Sequence, residues 1–204
     1  SNSCVITNEE GWYKKALDTD LARPKFAIMN PEITYTLPDY QTQCGCADIM
    51  MHTMERYFVL EDTMEITDKI AQDVMKNVMK YAKILKKDPE NYEARAEIMW
   101  CGSLSHNGLT GCGTCGGDWA THLIEHELGG MFDVAHGAGL AAVWGSWARY
   151  VMDEKPERFA QFAVDVMGVE ESDDVKSTAL KGIEAVEEFY RMIEMPTNMK
   201  ELGI

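Results

Sequence analysis

No apolar run in the sequence approaches the roughly 18 residues that a membrane span needs, and nothing reads as a secretory signal. Basic residues are scarce. Nineteen Lys and Arg stand against 34 Asp and Glu, a net charge of −15. That balance argues against a nucleic-acid backbone or an anionic membrane surface as partner. Cysteine is sparse too, six in 204 residues. Cys44/Cys46 and Cys112/Cys115 are spaced too closely for an extracellular disulfide framework, so a reducing, cytoplasmic location is the default. There is no internal repeat, no low-complexity stretch and no initiator Met. Ser1-Asn2 reads as a cloning scar, and Met195 to Ile204 stops in what reads as the start of another element. An excised or truncated piece is therefore expected.

What is present is an ordinary globular composition, 46% apolar, with length for one packed domain or one plus a fragment. Residues 1–36 differ from the rest. Val5-Ile6-Thr7 and Phe26-Ala27-Ile28-Met29 are short apolar runs beside Asn and Pro, the pattern of strands and turns. After Pro38 the helical period takes over. Helices are expected over Gln41 to about Leu60, Ile66–Leu85 with Thr67 as N-cap, and Tyr92–Leu104. A Gly-rich loop follows at Gly108–Gly117. Further helices are expected over Asp118–Leu128, Ala138–Met152, Pro156–Met167 and Asp174–Ile193. The fold class is mainly α, with a β remnant at residues 1–36 and an all-α body at 37–204.

Four of the five histidines fall in two clusters with acidic company. Asp48 and His52 are four apart, which stacks them on one helix face. His122 and His126 repeat the relation, and His136 follows. A carboxylate with neutral imidazoles is a ligand set for a divalent transition metal. On one continuous helix His122 and His136 would lie about 21 Å apart, whereas ligands of one ion lie about 3–4 Å apart. The chain must reverse between them, and Gly129-Gly130 is the expected place for the helix to end. Each cluster alone reads more readily as a helix-surface pair; together, flanked by glycine breaks and apolar neighbours, they favour the metal. A rival pattern overlaps them. His122-Leu123-Ile124-Glu125-His126 fits the H-x-x-E-H of inverzincin hydrolases, with Glu125 acting on water and a third ligand from Glu184, Glu187 or Glu188. Cys112-Gly113-Thr114-Cys115 has the wrong companion spacing for a structural zinc, and the cysteines read as small apolar residues beside glycines. His106, beside Asn107-Gly108, reads as a helix-end residue.

The string Gly116-Gly117-Asp118-Trp119-Ala120-Thr121-His122-Leu123-Ile124-Glu125-His126-Glu127-Leu128, followed by Ala135-His136-Gly137-Ala138-Gly139-Leu140, resembles the signature of iron-containing (group III) alcohol dehydrogenases. The butanol dehydrogenase-like branch is the best fit. Val5–Glu10, Arg23–Ile28, Thr34–Pro38 and Ala47–Met50 extend the resemblance over nearly the whole chain. It implies a dehydroquinate synthase-like helical domain behind the end of a nucleotide-binding domain. It implies a metal held by Asp48, His52, His122 and His136, usually iron, although zinc, nickel or cobalt would suit the same donors. His126 would lie near the nicotinamide and relay a proton, and Lys14 would lie near the cofactor ribose. The implied activity is interconversion of small primary alcohols and aldehydes with NAD(P), and a homodimer is common in the family. The family's Gly-Gly-Gly-Ser phosphate loop is missing, so this length of chain is expected to be inactive by itself. Beside this stand the zinc hydrolase and a non-enzymatic helical domain.

Overall fold

The computed structural model describes residues 3–61 and 64–204. The chain opens with an antiparallel hairpin, β1 (Ser3–Asn8) and β2 (Tyr13–Asp18), paired from Ser3 opposite Asp18 to Asn8 opposite Tyr13. Its turn needs left-handed backbone at Gly11 (φ 91°) and Trp12 (φ 57°). Eight α-helices follow among the described residues: α1 (Asp39–Tyr57), α2 (Glu65–Leu85), α3 (Tyr92–His106), α4 (Ala120–Phe132), α5 (His136–Val151), α6 (Pro156–Asp165), α7 (Val175–Met192) and the short α8 (Met199–Leu202). No helix among these residues is long and apolar enough to cross a membrane. The mainly α reading with a short β segment in front is what the structure has.

Helix α1 is the axis of the body and packs against α2, α3 and α5. From Thr42 to Tyr57 it is buried at every position except Gly45, Asp48, His52 and Arg56. Those four follow the +3, +4, +4 spacing of one face. A helix buried nearly all round is a core element, so this single open stripe marks where α1 looks into a cleft. Met50, Met51 and Met54 fill the opposite side, fully buried. Below them lies an aromatic cluster in which Phe58 stacks on Phe159 at 4.3 Å and meets Phe162 edge-on at 5.0 Å.

Three local expectations fail, each for a physical reason. Phe26–Met29 is not a strand; β1 and β2 pair only with each other, and the segment has no regular structure, with Phe26 and Ile28 exposed. Thr67 is not the cap of α2. Met64 precedes the helix, and the Thr67 hydroxyl instead donates to the Cys112 carbonyl at 2.9 Å, tying down the Gly-rich loop. Gly129-Gly130 does not end α4, which runs through both glycines to Phe132; the reversal comes at Asp133, with φ 52°. The glycines serve close approach. A Cβ on Gly129 would meet the Lys14 ammonium at 2.6 Å, and one on Gly130 the Trp12 carbonyl at 2.5 Å. They let β2 lie on α4.

Arg158 of α6 fastens the far end of α1. Its Nη1 and Nη2 donate to the two Asp68 oxygens at 2.6 and 2.7 Å, its Nε donates to the Tyr57 carbonyl at 2.9 Å, and its guanidinium lies 3.5 Å from the Tyr57 ring centre. Removing one member of a buried ion pair strands the other charge, which costs about 3–5 kcal/mol. Arg158→Met is expected to lower unfolding free energy by that amount in urea titration, and adding Asp68→Asn should recover part of it.

Candidate metal centre

Four helices deliver side chains to one point. Asp48 and His52 stand on the open stripe of α1. His122 comes from the first turn of α4, His136 is the first residue of α5, and His106 is the last residue of α3. Asp48 is the hub. Its Oδ1 lies 3.5 Å from His52 Nε2, 3.5 Å from His122 Nε2 and 3.6 Å from His136 Nε2, and its Oδ2 lies 3.6 Å from His106 Nε2. These separations are too long for good hydrogen bonds. They match the roughly 3.4 Å between donors on a tetrahedron with metal bonds of about 2.1 Å.

The tautomers sharpen this. Glu55 Oε1 accepts from the His122 backbone amide at 3.0 Å and faces its Nδ1 at 3.1 Å. A carboxylate only accepts, so Nδ1 carries the proton and Nε2 turns a lone pair toward Asp48. His136 Nδ1 likewise contacts Glu125 Oε2, freeing its Nε2 toward Asp48. Asp48 Oδ1 and His122 Nε2 are buried and have no hydrogen-bond partner among the described residues. Lone pairs facing a carboxylate without a proton between them repel, and a cation in the middle reverses the sign. The orphaned donors therefore fit a divalent metal.

At Asp48 and His52 the electrostatics point the same way. Burial alone would raise the Asp48 pKa, but His106 and His122 alongside it, with His52 and His136, hold the carboxyl far below the usual range. Burial pushes His52 down to about 2, so it stays neutral and ligand-ready. Burial also works to lower His122, but the carboxylates of Asp48 and Glu55 outweigh it and raise its pKa.

Of the expected residues, Asp48, His122 and His136 bring donor atoms within 4.8 Å of one another, and Asp48 and His52 form a second such triad with His106. His126 stands apart from Asp48. It groups with Glu125 and His136, its ring centre 5.6 Å from that of His136. Burial, and then the positive charge of Lys14, lower its pKa. Lys14 reaches the cluster from β2, donating to Glu125 at 3.0 and 3.2 Å, with its ammonium 3.5 Å from His136 Nδ1. Sequence reasoning missed Glu55, the pairing of Glu125 and the place of His106. Glu55 could have been found as a carboxylate three residues after His52 in an otherwise apolar run. Nothing short of the fold joins Glu125 to Lys14.

Trp119 walls the site edge-on to His52 (5.3 Å) and His122 (5.2 Å). Its backbone is left-handed, φ 65°, a strained state for a bulky residue. It is held there by its Nε1 donating to the Gly116 carbonyl at 3.1 Å and by Arg56 lying 4.6 Å from its ring centre. The hydrolase arrangement finds no support. Glu125 is fully buried and committed to Lys14 and His136, and Glu187 is tied to Arg149.

The model of the Fe-containing alcohol dehydrogenase family, C-terminal part, matches residues 42–204. The chain belongs to the iron-containing alcohol dehydrogenase family. Among similar relatives, NADH-dependent butanol dehydrogenase A of Clostridium acetobutylicum is 36% identical, over 98% of this chain and 51% of its own length. NADPH-dependent aldehyde reductase YqhD of Escherichia coli is 33% identical over the same share of this chain and 51% of its own. The crystal structure of NADH-dependent butanol dehydrogenase A from Thermotoga maritima superposes with a TM-score of 0.95 at 37% identity, covering 100% of this chain and 50% of that one. The chain thus spans about half the length of the relatives it matches, as a butanol dehydrogenase-like member of this alcohol dehydrogenase family.

Glu55→Gln removes one of the two carboxylate charges, Asp48 and Glu55, that raise His122. In the metal-free chain the His122 pKa is expected to fall from its raised value, read from imidazole nitrogen shifts in an NMR pH titration, with His126 unmoved.

Proposed function

We propose that this chain is the metal-holding part of an NAD(P)-dependent alcohol dehydrogenase that interconverts small primary alcohols and aldehydes. The observation that carries the reading is the set of donors around Asp48: three imidazole Nε2 atoms stand 3.5–3.6 Å from one carboxylate oxygen, and that oxygen and His122 Nε2 are buried without a hydrogen-bond partner among the described residues. Asp48, His52, His122 and His136 would hold the ion. Iron is the family's metal, and zinc suits the same donors. When bound, such an ion polarises a substrate oxygen and favours the alkoxide, while the nicotinamide carries the hydride.

The chain's own residues do the rest. Glu55 and Glu125 hold His122 and His136 in the tautomer that presents Nε2, as outer partners of ligating histidines do. Trp119 covers one side of the cluster. His126 is partly buried, is kept neutral by its lowered pKa, and lies beside His136 but outside the Asp48 group. A neutral imidazole so placed can accept the alcohol proton and pass it on. Lys14 comes from the hairpin rather than the helices, and we assign it, with His126, to the cofactor side.

The 204-residue chain, stripped and reconstituted with Fe²⁺ under anaerobic conditions or with Zn²⁺, is expected to keep near-equimolar metal. Asp48→Ala should weaken binding by more than about 100-fold. His126→Ala should keep the metal, and in the whole protein should slow turnover by about 10²–10⁴-fold. Wild-type chain that holds no metal would sink the reading.

A further inference from the structure

Resting on that reading, we propose that His106 is a fifth protein donor to the ion on Asp48, so that the resting centre is held by one carboxylate and four imidazoles. His106 ends α3, and its Nε2 stands 3.6 Å from Asp48 Oδ2, the same separation that His136 Nε2 keeps from Oδ1. Its Nδ1 lies 2.9 Å from the Gly102 carbonyl. Nδ1 also lies 2.7 Å from the Ser105 hydroxyl, which donates its proton to that same carbonyl at 3.0 Å, so both neighbours accept, Nδ1 carries the proton and Nε2 presents its lone pair to Asp48. This is the same orientation that Glu55 and Glu125 impose on His122 and His136, achieved here by the last turn of α3.

The position is built rather than incidental. Arg56 Nη1 donates to both the His52 carbonyl at 2.9 Å and the Ser105 carbonyl at 2.7 Å. One guanidinium thus clamps the turn that carries His52 to the turn that carries His106. The two rings lie close and tilted, 3.7 Å between centres and 35° apart. Asp48, His52 and His106 offer donors within 4.8 Å of one another, as Asp48, His122 and His136 do. Asp48 therefore joins the two triads, its Oδ1 facing His52, His122 and His136 and its Oδ2 facing His106. A site with this many protein donors favours ions that accept five or six ligands, such as Fe²⁺ or Co²⁺, over the tetrahedral preference of structural Zn²⁺.

Cobalt reads the coordination directly. In the Co²⁺-loaded 204-residue chain, paramagnetically shifted ring N–H protons are expected from His52, His106, His122 and His136. His106→Ala should remove one of them, intensify the visible d–d band as the ion becomes four-coordinate, and weaken Co²⁺ binding about 10-fold or more by chelator competition, with Zn²⁺ binding less affected. His106→Gln, which keeps side-chain bulk at a position 38% exposed, should do the same with the fold intact by circular dichroism. Unchanged shifted protons, spectrum and affinity in both variants would overturn the assignment while leaving the Asp48 site standing. Wild-type chain that takes up no Co²⁺ would overturn both.

Discussion

The cluster is organised by the repulsion between the Asp48 carboxylate and the imidazole lone pairs turned toward it. Nothing among the described residues relieves it: Asp48 Oδ1 and His122 Nε2 are buried and unpartnered. Buried polar atoms without partners cost about 1–3 kcal/mol each, more when charged. A fold keeps such a cost only where something else repays it. The carboxylates behind the histidines make the arrangement stiffer, because Glu55 and Glu125 forbid the flips that would turn His122 or His136 into ordinary donors toward Asp48. The protein holds three imidazole nitrogens at 3.5–3.6 Å from one Asp48 oxygen, about the separation that two ligands of one ion keep.

Close packing of backbone is what brings the donors from separate helices to one point. His136 reaches Asp48 only because α5 starts against α1, and Gly137 makes that approach feasible; a Cβ there would fall inside the contact distance of the Cys44 carbonyl. Two residues on, a Cβ at Gly139 would press on Glu125 Cγ at 2.7 Å, so this glycine leaves the space in which Glu125 turns toward His136. Gly129 and Gly130 perform the same service on the other side, for the hairpin that carries Lys14. The glycines in this part of the chain are spacers between elements.

The i, i+4 relation of Asp48 and His52 was legible in the sequence because a helix alone imposes it. The need for a reversal between His122 and His136 was legible from the length of a helix, but its place was misjudged. Glycine signals both helix ends and close approach, and only the position of β2 shows that Gly129 and Gly130 serve the second. Phe26–Met29 misled in a related way, since an apolar run becomes a strand only beside a partner with free backbone groups. Which helix faces were apolar could be read from spacing. The roles of Glu55, Glu125 and His106 could not, because each depends on contacts 11 to 111 positions away or on helices brought end to end.

Contacts run in a continuous line through the site: the Lys14 ammonium, the Glu125 carboxylate, His136, Asp48, His122 and the Glu55 carboxylate. The line starts in the hairpin and crosses α4, α5 and α1, so it joins the segment assigned to the cofactor with the group assigned to the metal. Glu125 is fully buried, and its charge is shared between Lys14 and His136. A carboxylate behind a ligating imidazole raises its basicity, and a cation on that carboxylate draws the effect back. The donor strength of His136 thus depends on how closely Lys14 sits on Glu125. Whatever draws the ammonium away strengthens the hold of Glu125 on the His136 proton, and with it the donation from Nε2. A shift of the hairpin at Lys14 and a change at the metal are two ends of one chain of contacts.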